Sequence, residues 1–126
     1  MTHKSKVLII DDNEELANLL KLNLEKTKRY RVYTANSGRK GIQVVQKKRP
    51  DVVVLDIMMP DMDGLEVLEQ IKGEVKTYEI PVIMLTGMSN PDSWEKAREN
   101  YAGEYLVKPV SVERLMNTID RVMIFG

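Results

Sequence analysis

The stretch VVVLDIMMPDMDG, residues 52–64, decides how this chain folds. Its opening run of three valines and a leucine reads as a strand buried on both faces, as in a parallel sheet covered by helices. The run then stops on a lone carboxylate, Asp56, and continues through Met58, Met59 and Pro60 to Asp61, Asp63 and Gly64. A buried acid is costly unless something compensates it, so a strand that ends on one must meet a partner there.

The same pattern recurs outward from this stretch. KVLIID (6–11), YRVYTA (30–35), DVVVLD (51–56), PVIML (81–85) and EYLV (104–107) read as strands. The second alternates apolar and polar residues, as a less buried edge strand does. Between and after them lie helical segments at 13–27, 37–49, 63–75, 90–100 and 111–125. In the first, Leu16, Leu19, Leu20 and Leu24 fall at helical spacing, with acids leading and lysines trailing as the helix dipole favours. Ser37 is placed to cap the second helix, and Asn90 with Pro91 to open the fourth. The fourth is otherwise polar apart from Trp94, Ala97 and Tyr101, so it should bury little surface. Alternation of short strands with amphipathic helices predicts an α/β fold with a parallel sheet, built as one domain over residues 1–126.

Composition narrows the function. Nineteen basic and nineteen acidic residues give a formal net charge of zero, which argues against nucleic-acid or membrane binding driven by bulk charge. The chain has no cysteine, which excludes disulfides, thiolate metal sites and a cysteine nucleophile. MTHKSK is too short and polar for a signal peptide, and no apolar run is long enough for a membrane span, so a cytoplasmic location is expected.

The strand ends carry the chemistry. The first strand ends in Asp11-Asp12, the third in Asp56, the fourth in Thr86 and the fifth in Lys108-Pro109. In an open parallel sheet all carboxyl ends lie along one edge, where such folds bind ligands. Three carboxylates, a hydroxyl and an ammonium should therefore meet on one rim. Close carboxylates repel and favour protonation unless cations hold them ionised. Lys108 is one such cation, and a hard divalent ion such as Mg²⁺, which prefers oxygen ligands, is the other. A rim so equipped suits phosphoryl transfer, with Asp56 as the nucleophile.

These residues, in this order, resemble the response-regulator receiver domains of two-component signalling, of the CheY type. The resemblance covers essentially the whole chain. It rests on Asp11-Asp12, DIMMPDMDG around Asp56, Thr86 and Lys108-Pro109, at separations of 44, 30 and 22 residues from Asp12 onward. It implies a doubly wound (βα)5 flavodoxin-like fold with strand order 2-1-3-4-5. It further implies that Asp56 accepts a phosphoryl group from a sensor histidine kinase or phosphotransfer protein. Asp12, Asp56 and the Met58 backbone carbonyl would ligate Mg²⁺ directly, Asp11 chiefly through water. Lys108 would pair with Asp56 and then with the phosphoryl oxygens, next to a cis peptide bond at Pro109. Thr86 and Tyr105 would act as the switch, altering a face made by the fourth helix, fifth strand and fifth helix for an output partner. Met58 and Met88 would limit water access to the phosphoryl group and lengthen its life.

The family often has Gly-Ala after the fourth helix, where this chain reads Tyr101-Ala102; Asn100 is the expected left-handed helix end. Each signal alone has a plainer reading: an Asp pair after a strand often only caps a helix, and Tyr105 could be a core aromatic. Other folds fit less well. A calcium loop aligned on Asp61, Asp63 and Gly64 would put Met59 and Gln70 at its essential ligand positions. A flavin site needs a phosphate-cradling first loop, whereas DDNEE is acidic. A phosphatase with an aspartate nucleophile would want a second acid at Met58. The alternative that survives is a receiver-like adaptor that binds partners without phosphorylation. Both a stand-alone receiver and one excised from a longer regulator fit the chain.

Overall fold

The computed structural model describes residues 3–87 and 91–125. Its elements are β1 (Ser5–Ile10), α1 (Glu14–Lys26), β2 (Tyr30–Ala35), α2 (Gly38–Lys48), β3 (Val52–Asp56), α3 (Gly64–Lys72), β4 (Val82–Thr86), α4 (Pro91–Glu99), β5 (Glu104–Val107) and α5 (Val112–Phe125). The strands form one parallel sheet in the order β2-β1-β3-β4-β5, with β2 at an edge as its alternation predicts. All five residues of β3 and of β4 are buried, as parallel strands covered on both faces require.

Alternate residues of each strand feed two cores. Val7, Ile9, Val54, Ile83 and Leu85 pack with Ala17, Leu20 and Leu24 of α1 and with Leu115 and Ile119 of α5. Leu8, Ile10, Val53, Leu55 and Met84 pack on the opposite face with Val45, Val67, Leu68, Ile71 and Ala97. Among the described side chains of α4 only Ala97 is buried, in line with its polar sequence.

Three local readings need correction. Leu19 is 55% exposed, because the buried stripe of α1 runs through Ala17, Leu20 and Leu24 and turns Leu19 outward. α3 ends at Lys72 instead of reaching residue 75. Gly73 caps it, and the Lys72 ammonium then binds the carbonyls of Tyr78 and Ile80, folding 73–80 into turns. The left-handed residue after α4 is Tyr101, at φ 66°, and not Asn100. Asn100 stays with the helix, its N–H and side-chain amide both donating to Lys96 O, and the Ala102 N–H closes the end on Ala97 O. The cap expected at Asn90 lies outside the described residues, as do the side chain of Trp94 and all of Met88.

Candidate functional site

The sheet brings Asp11, Asp56, Thr86 and Lys108 to one rim. β1 and β3 pair in register from Val7 with Val52 to Ile10 with Leu55, so Asp11 and Asp56 leave adjacent strands side by side. Asp56 pairs with Leu85, one residue before Thr86, and Thr86 pairs with Val107, one residue before Lys108. The Lys108 N–H donates to Thr86 O at 2.6 Å, and the Lys108–Pro109 peptide is cis.

Asp11, Asp56 and Thr86 are buried, while Asp12 is exposed. Each of Asp11, Asp12 and Asp56 offers an oxygen within 4.8 Å of the others. Lys108 Nζ stands among them, 2.9 Å from Asp11 Oδ2 and 3.5 Å from Asp56 Oδ2. The closer pairing is thus with Asp11, which sequence reasoning missed; spacing along the chain carries no information on which of two neighbouring acids an ammonium prefers. The two remaining oxygens take backbone N–H groups: Asn13 donates to Asp11 Oδ1 at 2.9 Å, and Met58 to Asp56 Oδ1 at 3.2 Å. Asn13 in turn caps α1 by accepting the Leu16 N–H, so the helix start and the site share one turn.

Burial and the charge of Asp11 push the Asp56 carboxyl up to about 6, against the pull of Lys108 and the Met58 N–H. Burial works to lower Lys108, but its bonds and charge interactions with Asp11 and Asp56 outweigh that and raise it. The donor set fits a hard divalent cation. It is made of oxygens alone, and Asp11 Oδ2 is a buried carboxylate oxygen held 2.9 Å from the Lys108 ammonium.

Tyr105 is half-buried and packs with the core on the α2–α4 face, opposite Met84 in the sheet. Met58 is 59% exposed and lines a groove of about 640 Å³ shared with Met59, Pro60, Leu65 and Lys96. This groove joins the segment after Asp56 to α4. Among the described residues no helix is long and apolar enough to cross a membrane.

The family of response regulator receiver domains matches this chain over residues 7–120. Among solved structures, the chain is 32% identical to the Vibrio cholerae chemotaxis protein CheY4, at a TM-score of 0.90 over 95% of this chain and 99% of that one. It is 30% identical to a LuxR-family DNA-binding response regulator from Staphylococcus aureus, with a TM-score of 0.87 over 94% and 98% of the two chains. It is also 30% identical to the receiver domain of a signal transduction histidine kinase from Syntrophus aciditrophicus, with a TM-score of 0.86 over 96% and 91%.

Proposed function

The chain belongs to the response-regulator receiver family, and we propose that it works as a magnesium-dependent phosphoacceptor switch in which Asp56 takes the phosphoryl group. The observation that carries this reading is the meeting of Asp11, Asp12 and Asp56 oxygens within 4.8 Å of one another, with the Lys108 ammonium between two of them.

In the transfer, an Asp56 carboxylate oxygen forms the new bond to phosphorus as the phosphorus–nitrogen bond of a phosphohistidine breaks. The bonding electrons stay on the imidazole nitrogen, and the histidine of the sensor kinase or phosphotransfer protein leaves neutral because its other ring nitrogen carries a proton during the transfer. Mg²⁺, when bound, neutralises charge on the phosphoryl oxygens; Asp12, Asp56 and the Met58 carbonyl would hold it, with Asp11 acting through water. Lys108 is already within reach of Asp56 and supplies the protein's own positive charge to the transferred group. Phosphorylation adds roughly −1.5 to −2 charge at the rim. Thr86, buried at the end of β4, and Tyr105, on the adjoining strand, are the residues set to answer it. Their response would shift a two-state equilibrium of the α4-β5-α5 face and so its affinity for an output partner. Apolar Met58 beside the site favours a long-lived phosphoryl state. The self-phosphorylating chemistry is slight, and the module acts as a signal carrier more than as an enzyme.

The test is intact mass after incubation with Mg²⁺ and acetyl phosphate, for wild type and Asp56→Asn. One added phosphoryl group, absent in the variant and after chelation, is the expected result. No adduct on folded wild-type protein would reassign the chain to a phosphorylation-independent adaptor.

A further inference from the structure

The loop between Asp56 and Gly64 is fastened at both its base and its tip. At the base, the Gly64 N–H donates to Ile57 O at 2.8 Å. A Cβ at Gly64 would run into the Asp56 carbonyl oxygen and stand 2.7 Å from Ile57 Cα, so only glycine lets the chain close there without a shift. At the tip, Asp61 Oδ1 accepts the Gly38 N–H at 3.2 Å and Asp61 Oδ2 accepts the Arg39 N–H at 3.3 Å. These are the first amides of α2, which lack partners within the helix. The helix's own cap, Ser37, takes the Lys40 N–H instead and leaves both to Asp61. Gly38 makes the approach possible: a Cβ there would lie 2.8 Å from Val67 Cγ2 and 2.9 Å from Met62 Cβ.

From this two-point clamp we infer that Asp61 is a positioning residue for the cation site, latching the 57–63 loop onto α2 and so fixing the Met58 backbone against the carboxylate cluster. The inference rests on the cation reading above and deepens it. Asp61 is not in the carboxylate cluster itself, and its two hydrogen bonds run to a helix 22 and 23 residues away in sequence. The Met58 N–H already bonds to Asp56, so any slack in the loop reaches the acceptor carboxylate as well as the Met58 carbonyl. Asp61→Ala removes both bonds at an exposed position where no core packing is lost.

The experiment is a Mg²⁺ titration by calorimetry of wild type, Asp61→Ala, Asp61→Asn and Asp56→Asn, with melting temperatures in EDTA alongside. Wild type binds Mg²⁺ and Asp56→Asn binds it far more weakly if the cation site is as read. Asp61→Ala should then weaken binding about tenfold, the low end for groups that orient metal ligands. Asp61→Asn, which keeps one acceptor oxygen, should fall between the two. An Asp61→Ala affinity within about twofold of wild type, below that range, would overturn the inference while leaving the site intact. So would losses in both Asp61 variants that merely track their metal-free melting temperatures. If wild type takes up no Mg²⁺, or Asp56→Asn binds as well as wild type, the cation reading fails and this inference fails with it.

Discussion

Asp56 carries a cost that the metal-free protein cannot avoid at neutral pH. Burial first, then the charge of Asp11, lifts its carboxyl to about 6, above its ordinary value of 3.8. A raised acid gives stability that is full below the unfolded value and is lost as pH rises through the folded value. The window is therefore about pH 4 to 6, and above it the ionised group weighs on the fold. Asp56→Asn has no charge to desolvate. In EDTA it should melt above wild type at pH 7–8, with the gap closing as pH falls towards 4. A gap that widens on acidification would mean that Lys108, 3.5 Å away, stabilises the Asp56 carboxylate more than burial and Asp11 oppose it.

Helix ends are where this chain departs from the simplest local rules. Ser37, Asn13 and Asp63 are ordinary N-caps, each accepting a backbone N–H two or three residues on. The C-terminal ends are different. Lys28, Arg49 and Tyr101 all take positive φ, at 66°, 45° and 66°, where glycine is the usual occupant. For a residue with a side chain that conformation costs roughly 1–2 kcal/mol. Tyr101 is 76% exposed, so its ring contributes little packing to offset the strain. Tyr101→Gly should raise stability by about 0.5–1 kcal/mol, the relief being reduced by glycine's greater freedom when unfolded. Urea denaturation measures it; a loss of stability would show that the ring packs in a way its exposure conceals.

Across the whole molecule, a polar tether at the edge remote from the site ties the last helix to the second strand. Asp120 on α5 accepts the Tyr30 hydroxyl at 2.8 Å and the Arg29 guanidinium at 2.6 Å. Arg29 also stacks over the Tyr30 ring, 5.1 Å from its centre. Tyr30 is 2% exposed, and burial, together with its bond to Asp120, holds its hydroxyl up to about 12. Asp120→Ala leaves that buried hydroxyl without its acceptor and should cost about 1–2 kcal/mol in denaturant melts. The exposed Arg29–Asp120 ion pair adds little of this, so Arg29→Ala should be much milder.

Residues 52–64 alone hold much of this protein: a buried strand, an acid at its end, and the turn into the next helix. Elements were legible because burial on two faces, helical spacing and N-caps are local properties, written within a few residues of where they act. The rim was legible too, since parallel strands must put Asp11, Asp56, Thr86 and Lys108 at the same edge once the strands are recognised. What tertiary structure alone decided is who touches whom. Lys108 lies nearer Asp11 than Asp56, Leu19 faces out, Asp61 fastens onto α2, and Asp120 finds Tyr30 from 90 residues away. Such pairings depend on angstrom differences in packing between distant segments, and those distances exist only after the chain has folded.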